Sequence, residues 1–313
     1  MLQLSPARSY GGLERTTADV SAALVAAGGR SLVAAPATAA AMRLRSSGAE
    51  LVEMDLDSRS PLRIRSNATA LAEIALREGV DVIHARTREA AAVGERAAKA
   101  VGARFVTTWS RIHEEDGFFD RPFTRALAAG RPVIAVSDFV ARHLASERGL
   151  GAGRVVVIPR GVDMDLFAEE AVGAERVIRL ADAWGLTEDP RPIALAPGRL
   201  HAKAGIETLA RAAARLRAAR GDDFLCLVVG EGDPKYLGEL EAAIVAAGAA
   251  GVMRIAGPTS DMQAALKMAA MVVAPAAAPP ASARSVVEAM AMGRPVVATA
   301  HGAPAEIIRD REN

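Results

Sequence analysis

Short apolar runs alternate with longer stretches of helical periodicity along the whole chain. The first helical patterns lie at 13–28 and 67–79. The apolar runs of strand length in this half begin with LQLSP near the start and continue at 30–35, 81–85, 104–109, 132–137 and 154–159. An apolar run of this length predicts a buried strand, and the 3.6-residue periodicity between the runs predicts helices.

The same alternation starts again after residue 190. Helical patterns at 206–220 and 235–247 separate apolar runs that read PIALAPG, FLCLVVGEG, GVMRIAG, MVVAPA and RPVVATA. Strands that are apolar on both faces are typical of parallel sheets covered by helices, so each series predicts a doubly wound α/β domain. We predict Rossmann-like domains at 1–165 and 192–313, joined by a linker region at 166–191 and facing a cleft. Ligands of such sheets bind at the carboxyl ends of the strands.

Composition narrows the class of protein. The chain has 313 residues, of which 51% are hydrophobic and 24% charged, and its formal net charge is +1. These values exclude a disordered chain and a broad basic surface for nucleic acid. The N-terminus has no secretion signal, and no uncharged apolar run approaches the ~20 residues that span a bilayer. We therefore expect a cytoplasmic protein. Peripheral contact with the inner face of the membrane is a further hypothesis.

A single cysteine, Cys226, lies in the apolar run FLCLVVG. One cysteine cannot form a disulfide framework or a multi-cysteine metal site, and in such a run a buried small hydrophobe is favoured over a nucleophile. No two histidines have the spacing of a helical zinc site. We expect neither a metal nor a cofactor.

Paired glycines, Gly11 and Gly12, open the first helical pattern after a short strand. Backbone N–H groups at a helix N-terminus form an anion site when no side chain crowds them. A tight turn that needs a positive φ explains the same glycines equally well. No G-x-G-x-x-G follows any strand, which disfavours an NAD-dependent oxidoreductase.

Charged residues follow two of the later strands. Arg199 and Lys203 lie between an apolar run and a helical pattern, where two cations can stabilise a departing diphosphate. The alternative is a solvated loop with ordinary surface charges. Glu288 lies in a helical pattern that ends at Gly293 as its C-cap, where it could accept hydrogen bonds from a ribose. The alternative is a solvated helix glutamate.

Aromatic residues are concentrated between positions 109 and 125, beside several arginines. They are Trp109, Phe118, Phe119 and Phe123, in a chain with only 4% aromatic residues. Aromatic and cationic side chains together suit a lipid interface. The four acids in the same segment favour the alternative, in which the segment is a packed acceptor loop.

Together these loops resemble the family 4 glycosyltransferases, retaining enzymes of the GT-B architecture with two Rossmann-like domains. The resemblance covers nearly the whole chain and is close to bacterial enzymes that build lipopolysaccharide or other surface glycans. The chain ends before the last strand and helices of such relatives, so we expect a shortened C-terminal domain. The motifs are GGLERTTADVSAALVAAGG, DVIHARTR, VIAVSDFVARHL, VIPRGVDMDLF, PGRLHAKAGIETLARAAARL, LVVGEGDP and EAMAMGRPVVATAHGAPAEII.

The resemblance implies a nucleotide-sugar donor, such as a UDP-, GDP- or ADP-sugar, in the C-terminal domain and a glycan or lipid-linked acceptor in the N-terminal one. It implies metal-independent transfer, in which Arg199 contacts the diphosphate and Glu288 the ribose. His84, which follows a strand, could line the cleft near the sugar, although a structural histidine fits its position equally well. The glycines that the resemblance brings close to the donor phosphates are Gly11, Gly12 and Gly302.

Three positions depart from the family pattern. The family has two glutamates separated by seven residues, and Glu288 matches the second of them. The position of the first is occupied by Pro280, which has no side-chain acceptor and no N–H. The family also has a lysine that contacts the diphosphate. Ala204 occupies its position in this chain, and Lys203, one residue earlier, is the nearest replacement. The family often has a histidine near the sugar. Ser110 occupies its position in this chain, and His113 is the nearest replacement. Two hypotheses follow: an active transferase, or a catalytically impaired relative that binds a nucleotide or a partner.

Overall fold

The computed structural model describes residues 1–6, 12–38, 41–42, 44–113, 117–151 and 153–313. The chain forms two units, unit 1 at Met1–Pro159 and unit 2 at Arg160–Asn313. Each unit is a parallel β-sheet with helices between its strands. The two predicted doubly wound α/β domains are therefore confirmed.

Unit 1 contains seven strands and five α-helices within the described ranges. The strands are β1 (Leu2–Leu4), β2 (Leu32–Ala35), β3 (Glu50–Glu53), β4 (Val82–Ala85), β5 (Arg104–Trp109), β6 (Val133–Ala135) and β7 (Val155–Val157). The helices are α1 (Gly12–Ala26), α2 (Pro61–Arg77), α3 (Arg88–Val101), α4 (Arg121–Leu127) and α5 (Asp138–Arg148). The spatial order is β3-β2-β1-β4-β5-β6-β7, which is the order of a Rossmann sheet.

Burial in unit 1 follows the position of each strand in the sheet. Every residue of β1 and β2 is buried, whereas both end residues of β3, at the sheet edge, are exposed. The apolar-run criterion therefore found the central strands and missed β3, whose sequence ELVE has only two apolar residues.

Unit 2 contains the remaining strands and helices. The strands are β8 (Ile193–Pro197), β9 (Leu225–Val229), β10 (Met253–Gly257), β11 (Ala269–Ala274) and β12 (Val296–Ala298). The helices are α6 (Ala174–Ala183), α7 (Ile206–Arg220), α8 (Pro234–Ala246), α9 (Met262–Met268), α10 (Arg284–Ala291) and α11 (Pro304–Ile307). All strand pairs are parallel, in the order β10-β9-β8-β11-β12.

The interior strand β9 contributes to two buried clusters of unit 2. Leu225, Leu227 and Val229 belong to one buried cluster, and Cys226 and Val228 belong to another, because successive side chains of a strand point to opposite faces. Cys226 is 5% exposed, and burial raises the pKa of its thiol to about 11. It is the buried small hydrophobe that its sequence context predicted.

The segment 166–191, predicted as a linker region, packs within unit 2. Phe167, Val172 and Leu186 are buried in the same cluster as β9. Arg176 of α6 forms an ion pair with Asp261, the N-cap of α9, at 2.6 Å. The boundary between the two units lies at Pro159–Arg160, ahead of this segment.

Candidate functional site

The strand order of unit 2 creates a topological switch point between β8 and β11. The chain continues from β8 to β9 on one side and reaches β11 on the other side only later, so the loops after β8 and β11 lead away in opposite directions. In open α/β sheets, ligands bind in the crevice at such a point. Arg199 and Lys203 lie on the loop after β8, and Glu288 lies in α10, the helix after β11. The predicted donor residues of unit 2 thus belong to the two segments that flank this switch point.

Backbone hydrogen bonds fix the loop after β8 to its neighbours on both sides. On the β9 side, the amide of Leu200 donates to the carbonyl of Glu231 at 2.7 Å. On the β11 side, the carbonyl of Lys203 accepts from the amide of Ala277 at 3.0 Å. A loop held on both sides presents its side chains from a fixed backbone, which is how a site is preorganised.

Gly205 allows the two backbones at the switch point to meet. Its φ is +75°, and a Cβ at this position would overlap the carbonyl group of Pro275. Glycine adopts this φ without strain and leaves room for the neighbouring backbone. The contact therefore requires glycine.

Arg199 and Lys203 both extend from this loop into solvent. Both residues are exposed. Arg199 has no hydrogen-bond or ion-pair partner within the part of the chain that the structure describes. The backbone amide of Lys203 donates to Nδ1 of His201 at 3.2 Å, so this histidine caps the short 3₁₀ turn at Ala202–Ala204. The role of His201 here is to hold the turn that carries Lys203.

Glu288 is 6% exposed, so the alternative of a solvated helix glutamate is wrong. Its Oε1 accepts a hydrogen bond from Nε of Arg284 at 2.8 Å, one turn earlier in α10. Sequence analysis missed Arg284, although arginine and glutamate four residues apart on a helix predict an ion pair. The helix ends at Ala291 with Met292 as its C-cap, one residue before the predicted C-cap Gly293, whose φ is +69°.

The loop after β12 packs on the loop after β11. The hydroxyl of Thr299 donates to the carbonyl of Ala276 at 2.9 Å, and Nε2 of His301 lies 2.8 Å from the same carbonyl oxygen. Gly302 has a φ of +64°, and a Cβ there would lie 2.5 Å from the carbonyl oxygen of Pro280. The next amide, that of Ala303, donates to this oxygen at 2.9 Å. Gly302 is thus needed for close contact between the two loops.

The other predicted site residues lie in unit 1. Gly12 is the exposed first residue of α1, and Gly11 lies outside the described residues. His84 is 6% exposed within β4, and its Nε2 lies 2.8 Å from Oγ1 of Thr108, a contact that also fits the structural alternative. His113 is partly buried and packs edge-on against Trp109, at 5.4 Å between ring centroids.

Arg86 is a buried cation of unit 1 that sequence analysis did not single out. It directly follows β4 at the carboxyl edge of the sheet and is 4% exposed. Its Nη1 donates to Oγ1 of Thr17 in α1 at 3.4 Å. A guanidinium this deeply buried is uncommon in proteins, because arginine side chains are mostly exposed. The motif DVIHARTR contains it, but its sequence carries no sign of burial.

The aromatic segment divides into buried and exposed residues. Trp109 is fully buried and donates from Nε1 to the carbonyl of Leu127 at 3.3 Å, and Phe123 is 9% exposed. The packing of Trp109 and Phe123 agrees with the favoured interpretation of a packed segment for these two residues. Phe118 and Phe119 are 78% and 82% exposed.

The described part of the chain contains neither a candidate metal site nor a candidate membrane-spanning helix. No group of three or more His, Cys, Asp or Glu side chains among these residues could hold a metal ion. Among the same residues, no helix is long and apolar enough to cross a membrane.

Solved structures with the same fold include several glycosyltransferases. A glycosyltransferase from Rickettsia africae is 28% identical, with a TM-score of 0.84 over 99% of this chain and 81% of that chain. HepE from Anabaena, solved with UDP-glucose, is 21% identical, with a TM-score of 0.81 over 98% of this chain and 82% of that chain. WaaG, a glycosyltransferase involved in lipopolysaccharide biosynthesis, is 16% identical, with a TM-score of 0.70 over 98% and 83% of the two chains. These likenesses confirm the GT-B fold.

Family models match both units, whereas no curated protein matches the chain. The model described as Glycosyltransferase Family 4 matches residues 10–166, about half of the chain. The model described as Glycosyl transferases group 1 matches residues 191–313. The chain belongs to the family 4 glycosyltransferases.

Proposed function

We propose that this protein transfers a sugar from a nucleotide-diphosphate donor to a glycan or lipid-linked acceptor, with retention of the anomeric configuration. The donor binds at the carboxyl edge of the sheet of unit 2. The product contributes to a lipopolysaccharide or another cell-surface polysaccharide. The transfer uses no metal, because side-chain cations and helix N–H groups offset the charge of the diphosphate.

The observation that carries this proposal is the set of charged groups flanking the β8–β11 switch point. Arg199 and Lys203 are exposed on a loop whose backbone is hydrogen-bonded on both sides. Glu288 is a buried carboxylate on the helix that follows β11. Two cations suit a diphosphate and a carboxylate suits the hydroxyls of a ribose, so both halves of a nucleoside diphosphate have matching groups here.

The N-terminus of α10 adds to the cationic character of this edge. Its N-cap is Ala283, whose side chain makes no capping hydrogen bond. The first N–H groups of a helix carry partial positive charge and are satisfied by side chains, water or ligands. A diphosphate oxygen near Ala283 would therefore receive backbone donors in addition to the two side-chain cations.

The chemistry that these groups support is cleavage of the bond between the anomeric carbon and the diphosphate oxygen. The electron pair of this bond leaves with the diphosphate, and Arg199 and Lys203 stabilise the developing negative charge. The acceptor hydroxyl oxygen bonds to the anomeric carbon on the face that the diphosphate leaves, and its proton passes to an oxygen of the departing diphosphate. Glu288 holds the ribose, and this contact keeps the donor in position while the bond breaks.

We select uridine diphosphate as the first donor nucleotide to test, because HepE was solved with UDP and with UDP-glucose. GDP and ADP are tested in parallel. The relation to WaaG supports a surface-glycan acceptor. His113 is the side chain of unit 1 that we assign to the sugar, in place of the family histidine at Ser110.

Isothermal titration calorimetry with UDP, GDP and ADP, followed by nucleotide release from the matching donor sugars, tests this function. We expect Arg199→Gln and Lys203→Gln each to weaken binding of the preferred diphosphate by roughly tenfold, since a charge-assisted hydrogen bond contributes about 1.5–3 kcal/mol. The matched control is Arg215→Gln, which removes an exposed arginine of α7 away from this edge. Equal affinities for all variants would refute the assigned site. Binding without donor cleavage or transfer would instead favour the catalytically impaired alternative.

A further inference from the structure

Arg284 and Glu288 form an ion pair at the edge of unit 2 that we propose for the donor nucleotide. Arg284 is the first residue of α10, the helix that follows β11, and Glu288 lies one turn later. Nε of Arg284 donates to Oε1 of Glu288 at 2.8 Å. The two side chains are 22% and 8% exposed, so the pair is largely withdrawn from water. The proposed function assigns Glu288 to the ribose and gives Arg284 no role.

The order of the two charges along α10 does not favour the helix. The N-terminus of a helix carries partial positive charge, and its C-terminus carries partial negative charge. Arg284 lies at the N-terminus of α10 and Glu288 lies in its C-terminal half, so each charge is nearer to the less favourable end. At this spacing the opposite order, with the glutamate before the basic residue, is the more stabilising one. Helix stability is therefore a poor explanation for this pair.

Burial gives a second reason to look for a role beyond stability. Removing two charges from water costs about as much as their attraction returns, so a buried ion pair is weak support for a fold. Once Glu288 is buried, however, its charge needs a partner, and Arg284 provides one. A buried carboxylate with a fixed donor has a defined orientation, which is what a ligand site requires.

Apolar packing holds the backbone that carries the pair. Ala283, the N-cap of α10, and Val286 are buried in one cluster with Ala303 of the loop after β12. Because α10 cannot shift without disturbing this cluster, the direction of the carboxylate depends on the side-chain torsions of Glu288. The hydrogen bond from Arg284 restricts these torsions.

We infer that Arg284 is a positioning residue for recognition of the ribose. Its guanidinium holds the Glu288 carboxylate in the direction in which it accepts a hydrogen bond from a ribose hydroxyl. A carboxylate has about four acceptor positions, so it can bind Arg284 and a hydroxyl at the same time. This inference rests on the proposed function, because it requires a nucleoside diphosphate at this edge of unit 2. It adds a selectivity: the site distinguishes ribonucleotides from deoxyribonucleotides, and the distinction depends on Arg284.

Calorimetry with ribose and deoxyribose nucleotides tests this role in the full chain. The ligands are UDP, GDP and ADP and, for the one that binds most tightly, its 2′-deoxy and 3′-deoxy forms. We expect the wild type to bind at least one deoxy form about tenfold more weakly, which is the usual effect of losing a hydrogen bond to a charged group. Arg284→Met should weaken the ribonucleotide and leave that deoxy form nearly unchanged. The ratio of the two dissociation constants should then fall below about threefold, because a misaligned acceptor contributes little.

The ratio of dissociation constants separates this role from a loss of stability. Partial unfolding of Arg284→Met affects both ligands alike, so it cancels in the ratio. Arg284→Lys is the second variant, and it keeps both the charge and a donor, since Nζ of lysine reaches only one bond farther than Nε of arginine. We expect Arg284→Lys to retain most of the wild-type ratio. Loss of selectivity in Arg284→Lys as complete as in Arg284→Met would overturn the inference.

Two other variants show what the remaining contacts contribute. Arg179→Met breaks an exposed ion pair of α6 and should keep the wild-type affinities and their ratio. Arg199→Gln should weaken the ribose and deoxyribose forms equally, because its proposed contact is with the diphosphate. Equal weakening of both forms by Arg284→Met would overturn the inference, since Arg284 would then act on the diphosphate or on the fold alone.

The wild type itself separates this inference from the proposed function. Equal binding of ribonucleotides and deoxyribonucleotides would overturn the inference and leave the proposed diphosphate site standing. Binding of none of the three nucleotides would refute the proposed function, and the inference would fail with it.

Discussion

Replacement of Arg284 by methionine should destabilise unit 2 more than an ordinary surface ion pair would. Methionine keeps an unbranched side chain of similar length in α10 but removes the guanidinium. Glu288 then loses the donor that lies 2.8 Å from its Oε1 while it remains 8% exposed. A buried carboxylate that loses its partner cannot regain the hydration it had in the unfolded chain.

The expected magnitude follows from the exposure of the two side chains. An exposed pair with this spacing contributes about 0.3–0.5 kcal/mol, whereas removing one partner of a fully buried pair costs about 3–5 kcal/mol. Arg284 is 22% exposed and Glu288 is 8% exposed, so the pair is nearer to the buried limit. We expect a loss of about 2 kcal/mol in the free energy of unfolding of unit 2.

Native-state hydrogen exchange measures this loss without assuming that both units unfold together, since the amides of β8 and β9 report on unit 2 alone. The matched control is Arg179→Met in α6, which breaks an ion pair of the same spacing whose side chains are 72% and 85% exposed. A second variant, Arg284→Met/Glu288→Gln, should recover part of the loss because it also removes the buried charge of Glu288. The reasoning is refuted if Arg284→Met costs no more than Arg179→Met.

Three other changes have defined outcomes. Gly205→Ala should lower the free energy of unfolding by at least about 2 kcal/mol in thermal denaturation. The control, Gly238→Ala, lies in the exposed middle of α8 with open space around it and should raise the free energy of unfolding by about 0.5–1 kcal/mol. A neutral effect of Gly205→Ala would contradict the backbone contact with Pro275. Cys226, with its pKa raised to about 11, should react with Ellman's reagent at pH 8 only after unfolding, and rapid native labelling would disprove its burial. Hydrogen bonds from Arg191 lower the pKa of Asp189 to about 2, so the stability from this pair is present above about pH 4 and is lost as the pH falls through 2. Asp189→Asn should therefore lower the melting temperature at pH 6 but not at pH 2, and a constant difference would contradict this pairing.

The strands of both sheets were predictable where their residues are apolar. β9, for example, is apolar throughout because helices cover both faces of the sheet at its centre. The edge strand β3 has exposed end residues and therefore no apolar run. The helix α6 was predicted only as part of a linker, because its contacts with the rest of unit 2, such as the Arg176–Asp261 pair, join residues far apart in the sequence. Local patterns report burial, and they do not report which distant element provides it.

The same limit applies to the candidate site. The position of Arg199 and Lys203 after a strand was evident from sequence, because strand ends are local features. The burial of Glu288 was not evident, since it depends on how α10 packs on the sheet. The interlocked loops were also hidden: a glycine at 205 or 302 is compatible with many turns, and only the neighbouring carbonyls of Pro275 and Pro280 reveal why glycine is needed.

Pro280 illustrates how structure changes the meaning of a missing residue. From sequence it is an absent carboxylate. In the structure its carbonyl accepts the amide of Ala303, and its ring and backbone lie against Gly302. The backbone contacts of position 280 do not require a particular side chain. The loop therefore keeps its conformation although the carboxylate of the family pattern is absent. Arg199, Lys203 and Glu288 keep their own supports, which come from other backbone groups and from Arg284. The proposed function therefore predicts that the proline changes recognition of the donor sugar more than it changes binding of the nucleoside diphosphate.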